Sequence, residues 1–517
     1  MSLFENGWRA AGLQFHLTSL PTPYGVGDLG PSAYSFLNFL ALSGIHFWQV
    51  LPVNPTAPAL GNSPYSAYSA FAGYELLISP ELMVRDGWVD EAQAEGAKQN
   101  PEELVDFETT IKLKSALIDL AFARAAKTLL DREDFGQFLG DNGFWLNDYA
   151  FFMAAKEEFG RGAWSDWPEG LKRRDEAELR HLGEALFRSI LRIKFGQFLF
   201  FKQLGLLKAE AKRLSIGLIG DTAFYVNYDS SDVWANPKLF DLDERKRTNR
   251  MAGVPPDYFA QTGQLWGNPI FNWSENRAEG YAWWKSRILH NLGLFDWVRL
   301  DHFRAFSAFW AVEPGSETAR HGSWQPGPGE EIFKACGSNR LNIVAEDLGL
   351  ITPDVTNLRR AFGFPGMRVL QFGFGEDGAL STHAPFRIEV DNLVYSSTHD
   401  NNTARGWFEL ECDEKAIKRL SEVAGYKVTA ENAAWTLIRL VYLCPGALCL
   451  TTVQDLLNQG PGYRLNTPGQ ARGNWGYRLL SFDLLNNQLS EKLANLGVLS
   501  GRDNLSHPNI LTYLSVY

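Results

Sequence analysis

An α/β fold built as a (β/α)8 TIM barrel is what this sequence predicts, and three observations carry it. Eight short apolar runs of buried-strand length recur along the chain, with helical patterns between most neighbours. Several of those runs close on charged residues: Gly220-Asp221, Arg299-Leu300-Asp301, Ala345-Glu346-Asp347 and Thr398-His399-Asp400. At 517 residues the chain exceeds one minimal core and suits a large barrel with insertions.

The first run, Ala11–Leu17, stops at a turn-rich stretch, Thr18 to Gly27. A helical pattern over Ser32–Leu42 follows, then a second strand over Ile45–Leu51, closed by Pro52. From about 81 to 210 the text turns helical, with long charged-face patterns over Thr109–Leu130 and Leu179–Lys212 and a helix opening at Trp145. The third strand is Ser215–Asp221. Residues 225–290 are aromatic and rich in Pro and Gly, and so long an irregular stretch is the mark of a lid or binding loop. The remaining strands are predicted over Trp297–Asp301, Asn342–Glu346, Met367–Phe372, Leu393–Thr398 and Ala447–Thr451, with helices over Ala416–Ala424 and Ala433–Tyr442. The expected division is 1–80 for barrel strands 1 and 2, 81–210 for a helical insertion, and 211–517 for the rest of the barrel. Insertions fall between strands 2–3 and 3–4, and no C-terminal β-domain is expected.

Composition narrows the function. A net charge of −11 argues against nucleic acid and anionic membranes and fits a neutral substrate. Cys336, Cys412, Cys444 and Cys449 form no CxxC pair, so reduced thiols and a cytoplasmic location are expected. The N-terminal MSLFENGWRA lacks the character of a signal peptide, and no apolar run reaches the ~20 residues of a membrane helix. The nine histidines show no HxxxH spacing, and in a regular strand His302 would alternate away from Asp301, so no metal or other cofactor is expected.

The strand ends carry the chemistry. Residues i and i+2 of a strand share a face, so Arg299 and Asp301 look the same way, and the guanidinium keeps the carboxylate ionised. A buried ion pair that only pins a strand, or an Asp serving as a helix N-cap, explains any one of these ends. Three carboxylate-bearing ends on one rim, Asp301, Glu346 and Asp400, argue against that reading for all of them. Paired carboxylates beside aromatic loops point to glycosidic bond chemistry, in which one carboxylate attacks or stabilises and the other stays protonated. Glu346, facing other carboxylates in a dry site, is the natural acid.

These motifs resemble those of the 4-α-glucanotransferases (amylomaltase, disproportionating enzyme; glycoside hydrolase family 77) of the α-amylase clan. The resemblance runs through Thr18–Pro21, Trp48–Pro52, Ser63-Pro-Tyr65, Gly220-Asp221, Asp232–Pro237, Gly253–Phe259, Gly263–Pro269, Val298–Phe303, Ala345–Gly349, Gly363–Met367, Thr398–Thr403, Gln454-Asp455 and Gly473–Trp475. It implies that Asp301 is the nucleophile, Glu346 the general acid/base and Asp400 the transition-state stabiliser. Arg299, His399 and Asp221 would surround the −1 sugar, with Tyr65 offering a stacking face and Ser63 contributing to binding. Asp257, Phe259, Gln264, Trp266 and Asn268 would form a lid over the acceptor side. For Asp221 a hydrogen-bonded strand end explains the residue as well as sugar contact does, and Phe259 and Trp266 could instead pack against the barrel wall. The chain departs from the family pattern at Ala57–Asn62, at Ser66 and at Asn402, none of them in the carboxylate set.

The function implied is transfer of a segment of a 1,4-α-D-glucan to the 4-hydroxyl of an acceptor glucan or glucose, by a retaining double displacement. Partners implied are maltooligosaccharides and α-1,4-glucans, for a monomer or weak homodimer. A hydrolase of the same clan and a non-catalytic glucan-binding protein are the alternatives. They differ from transfer in whether free water or a bound 4-hydroxyl arrives second, and in whether turnover occurs at all.

Overall fold

The computed structural model describes residues 8–56, 58–256, 262–337, 341–470 and 472–503. In chain order its strands are β1 (Ala10–Gln14), β2 (Phe47–Gln49), β3 (Gly217–Thr222), β4 (Met251–Val254), β5 (Gln264–Pro269) and β6 (Trp297–Leu300). They continue as β7 (Ala308–Val312), β8 (Gly322–Pro326), β9 (Ile343–Ala345), β10 (Gly366–Val369), β11 (Asn392–Tyr395) and β12 (Leu448–Thr452). Eight of them close into a barrel in the circular order β1-β2-β3-β6-β9-β10-β11-β12, every neighbouring pair parallel. The (β/α)8 barrel read from the eight apolar runs is the fold.

Alternation along each strand sorts the side chains. Ala11, Leu13, Trp48, Leu218, Val298, Ile343 and Val394 belong to the large core shared with the surrounding helices. Ala10, Phe47, Ile219, Val344, Met367, Leu393, Leu448 and Leu450 form a separate inner cluster, closed from below by Trp8 against the Phe47 ring at 6.0 Å. Two residues further along the same face the inner side chains turn polar: Phe47 gives way to Gln49, Ile219 to Asp221, Trp297 to Arg299 and Val344 to Glu346. The period of two thus delivers charge to the C-terminal rim while the floor stays apolar.

The β9–β10 seam is short, with one registered pair, Gly366 opposite Ala345. Asp347 extends it with a side chain: its Oδ1 accepts from the Met367 N–H at 2.7 Å and from Arg368 Nη1 at 3.2 Å. A Cβ at Gly366 would lie 2.4 Å from Asp347 Oδ2, so the carboxylate requires glycine there.

Helices dominate between β2 and β3, the longest being Glu133–Glu158 and Phe187–Arg213. Trp145 does not open a helix; it lies inside Glu133–Glu158, whose first half carries Gly136, Gly140 and Gly143 and so reads as a poor helix former. The single pattern over Leu179–Lys212 is two helices, Glu176–Ala185 and Phe187–Arg213, broken at Leu186. The second one positions the segment after β2. Gln197 accepts from the Gly73 N–H at 2.7 Å and donates to its carbonyl at 2.9 Å, and Gln203 does the same for Ser79 at 2.7 and 3.3 Å.

The stretch 225–290 is more ordered than its composition foretold. β4 and β5 join β7 and β8, which follow β6, in an antiparallel sheet of order β5-β4-β7-β8. The β6–β9 connection is therefore an additional insertion. The β4–β7 pairing spans the whole of β6, so no local turn signal announces it.

Candidate active site

The rim is organised around Arg299, 3% exposed at the end of β6. Its Nη1 donates to both oxygens of Asp221, at 2.9 and 2.8 Å, and its Nη2 pairs with Asp301 Oδ1 at 2.9 Å. Burial alone would drain the guanidinium of its proton, but Asp221 and Asp301 hold it protonated well above the usual range. Burial pushes the Asp221 carboxyl up while Arg299 pulls it back. Asp221 is thus the buried inner partner, whereas the Asp301 side chain is 26% exposed toward the mouth.

β6 stops at Leu300, and His302 adopts a left-handed conformation (φ 48°), costly for a non-glycine residue. That turn, rather than strand alternation, sets the direction of His302. It aims the His302 N–H at Glu346 Oε2, 2.8 Å away, while Glu346 Oε1 accepts from the Leu348 N–H at 2.8 Å. The carboxyl of Glu346 is therefore held by the backbone of the residue that follows Asp301. Burial pushes it up to about 8, with Arg299 opposing and the Asp301 charge adding to the rise. Burial acts the same way on Asp400, but His399, the Asn466 amide and Arg299 outweigh it and hold Asp400 well below the usual carboxylate range. Two carboxyls of one rim thus have opposite protonation preferences, the condition for acid and anion to act side by side.

Asp400 Oδ2 lies 3.2 Å from His399 Nε2, and Asp400 Oδ1 accepts from Asn466 Nδ2 at 2.6 Å. Arg464 Nη2 donates to the Asp400 carbonyl at 2.6 Å. The Tyr65 hydroxyl donates to Asp221 Oδ2 at 2.8 Å and meets His399 Nε2 at 2.8 Å. Its ring stacks on the His399 imidazole, centroids 5.4 Å apart and 13° from parallel, so one face of Tyr65 is already occupied. Ser63 Oγ accepts from the Tyr65 N–H at 3.3 Å and shapes that turn.

On the opposite side β5 presents Gln264, Trp266 and Asn268. Trp266, 38% exposed, meets the His302 ring at 4.9 Å and 81°, and its Nε1 donates to Gln264 Oε1 at 3.2 Å. Asn268 Nδ2 donates to the Val226 carbonyl at 2.9 Å, tying the strand to the β3 side. Asp257 and Phe259 lie outside the described residues. Burial holds His302 neutral, its proton affinity lowered to about 4.

Sequence reading missed Gln14, Arg464 and Asn466. The last two sit in a Gly- and Pro-rich loop after β12 and reach the site only through the fold. The one signal was the unbroken polar and turn-rich stretch 458–475, too long for a plain connection. Beside them lies a small, partly open pocket whose walls include Gln14, His16, His399, Asn401, Gln454 and Arg464.

A family profile described as 4-alpha-glucanotransferase matches residues 15–483. The chain is 44% identical to a 4-alpha-glucanotransferase of Aquifex aeolicus over 91% of its own length and 95% of that protein's. It is 42% identical to a 4-alpha-glucanotransferase of Synechocystis sp., covering 96% of this chain and 98% of that one. Among solved structures it superposes with a TM-score of 0.90 on the amylomaltase from Streptococcus agalactiae in complex with acarbose, at 34% identity, over 96% of this chain and 99% of that one.

Proposed function

The chain belongs to the 4-alpha-glucanotransferase family, and from that membership we propose that Asp301, Glu346 and Asp400 carry out the transfer of α-1,4-glucan segments. Asp301 attacks the anomeric carbon of the −1 sugar while Glu346 gives its proton to the departing glycosidic oxygen. The bond to the leaving glucan breaks and a β-linked glucosyl ester on Asp301 forms. Glu346, now a carboxylate, takes the proton of an acceptor 4-hydroxyl, whose oxygen displaces Asp301 and restores an α-1,4 bond. Asp400 and His399 hold the hydroxyls of the −1 sugar and stabilise the positive charge that develops on its ring. Arg299 pairs with Asp301, and Asp221 holds Arg299.

The observation that carries this reading is the pairing of a half-buried Glu346, pushed up to about 8, with an Asp301 held at 2.9 Å by Arg299. The first is an acid at neutral pH, and the second is paired with a cation and open to the mouth. Transfer prevails over hydrolysis because a bound, oriented hydroxyl reaches effective molarities of ~10⁵ M or more, beyond bulk water. The lid strand bearing Gln264 and Trp266 orients that hydroxyl and excludes water.

Product analysis on maltotriose tests it. A ladder of longer maltooligosaccharides with free glucose is expected. Shorter products alone, each cut adding a reducing end, would make the protein a hydrolase, and binding without turnover would make it a glucan-binding protein. The substrates are maltooligosaccharides and α-1,4-glucans, and the working form is a monomer or weak homodimer, a point for sedimentation velocity across a concentration series. Free cysteines throughout and the absence, among the described residues, of a helix long and apolar enough to cross a membrane support a cytoplasmic setting.

A further inference from the structure

Gln14 ends β1 on the inner face of the barrel, 4% exposed, and nothing in the reaction described above uses it. Its Nε2 lies 3.1 Å from His399 Nδ1, and its buried Oε1 has no hydrogen-bond partner among the described residues. The other side of the imidazole fixes how this contact must be read. Tyr65 has one hydroxyl proton, and Asp221, held as the partner of Arg299, takes it at 2.8 Å. The Tyr65 oxygen can then only accept from His399, so Nε2 carries a proton, and Asp400 Oδ2 at 3.2 Å reinforces it. A ring with Nε2–H is either neutral, with a lone pair at Nδ1, or an imidazolium with a second proton there. An amide N–H pointing at Nδ1 selects the first.

We propose that Gln14 is a positioning residue for the glucan transfer: its amide N–H holds the His399 lone pair at Nδ1 and so keeps the ring at the −1 sugar neutral, with its one proton on Nε2. This inference rests on the site assignment made above, which places His399 at that sugar. Gln14 can serve either ring form at Nδ1: with its amide turned over, Oε1 would accept an Nδ1–H. The other groups around the ring are Tyr65, Asp221, Arg299, Asp301, Asp400 and His16. His16 is kept neutral by burial and by His399, and its Nδ1 is engaged by the Leu51 N–H at 3.2 Å, so it supplies no alternative partner.

The test uses the full-length protein labelled with 15N-histidine, assayed for transfer on maltotriose. Wild type should show a pyridine-type Nδ1 and a pyrrole-type Nε2 for His399, assigned by loss of the signal in His399→Gln. Gln14→Leu removes the amide that favours the neutral ring, so a pyrrole-type Nδ1 should appear beside the pyrrole-type Nε2. Groups that fix the orientation of a functional imidazole are worth about 10–100-fold, so kcat should fall by that factor. KM should move by less than about threefold, because the lost interaction strengthens only in the transition state. Gln14→Glu offers an acceptor alone. It should convert Nδ1 to the pyrrole type, leaving both ring nitrogens protonated. Wild-type kcat in a folded Gln14→Leu, or an unchanged His399 spectrum in Gln14→Glu, overturns the proposal; the second readout decides should the leucine variant not fold. Asp301→Asn is assayed in parallel. If it transfers at the wild-type rate, the site assignment itself fails; if it is inactive while Gln14→Leu behaves as wild type, Gln14 alone loses its role.

Discussion

Two buried arginines stand at opposite ends of this barrel, and they are held in different ways. Arg299, at the mouth, faces carboxylates, Asp221 and Asp301. Arg502, 0% exposed at the floor, donates to backbone carbonyls: Nε to Tyr442 at 2.8 Å, Nη1 to Ala10 and Ala447 at 2.8 and 3.1 Å, and Nη2 to Cys444 and Gly446 at 2.8 Å each. Those carbonyls flank the starts of β1 and β12, so the guanidinium closes the ring of strands where the ladder begins. A cation solvated by dipoles keeps its neighbours neutral and packs as a structural plug. A cation shared between carboxylates creates a site in which each ionisation depends on the next. The difference separates what this molecule needs in order to stand from what it needs in order to react.

Exchanging one atom at the mouth should give the largest effect. Asp301→Asn keeps the shape and removes the proposed nucleophile, so transfer should fall by about 10⁴-fold or more. The denaturation midpoint should stay near that of wild type, because the floor is untouched. Unfolding of the variant together with its loss of activity would mean that the mouth, too, is structural.

The converse variant is Arg502→Met. It leaves the carbonyls of Ala10, Tyr442, Cys444, Gly446 and Ala447 without their shared donor, a loss of about 3–5 kcal/mol of stability. The folded fraction should keep its kcat within about twofold, since no charge at the mouth has changed. A large kcat loss at full folding would show that the two ends are coupled.

The pH dependence separates the ends again. Glu346 must begin the cycle protonated, and its carboxyl is pushed up to about 8, so kcat/KM should decline as pH rises past about 8. Arg502→Met should leave that limb in place. In Asp301→Asn the negative neighbour that adds to the rise is gone, so the Glu346 proton should leave at lower pH, a shift that carboxyl-region difference infrared spectroscopy can follow without turnover. An unmoved titration would remove Asp301 from contact with Glu346.

How much of this was legible depends on how local each signal was. Arg299 and Asp301 stand two residues apart at one strand end, Glu346 directly follows an apolar run, and His399 and Asp400 follow another after Ser396-Ser397-Thr398, so strand periodicity and the ends of the runs placed them on one rim. Gln14 ends an apolar run as well, but a neutral amide there reads as any polar terminator; its meaning comes from His399, 385 residues away. Asn466 and Arg464 support Asp400 from a loop whose path the barrel dictates. Arg502 sits in a Gly-Arg-Asp turn that reads as exposed surface, and only closure of the chain onto β1 buries it. The antiparallel sheet was hidden because β4 finds its partner β7 beyond a barrel strand.

The smallest effect expected concerns the lid and sharpens the same division within the mouth. The Trp266 ring meets His302 at 4.9 Å and Tyr225 at 6.0 Å, and it leaves 38% of its surface open. Trp266→Ala should therefore leave the first half of the reaction, formation of the Asp301 ester, close to wild type. The second half depends on which nucleophile is held nearby. Losing an aromatic contact worth about 0.5–1.5 kcal/mol weakens the hold on the incoming sugar by roughly three- to tenfold, while water needs no such hold. Hydrolysis relative to transfer, measured as new reducing ends per glucose released from maltotriose, should rise by that factor. Thermal stability should change little, because the partly exposed ring only borders the large core, through Tyr225. An unchanged ratio would move the exclusion of water from this strand to the carboxylate rim itself.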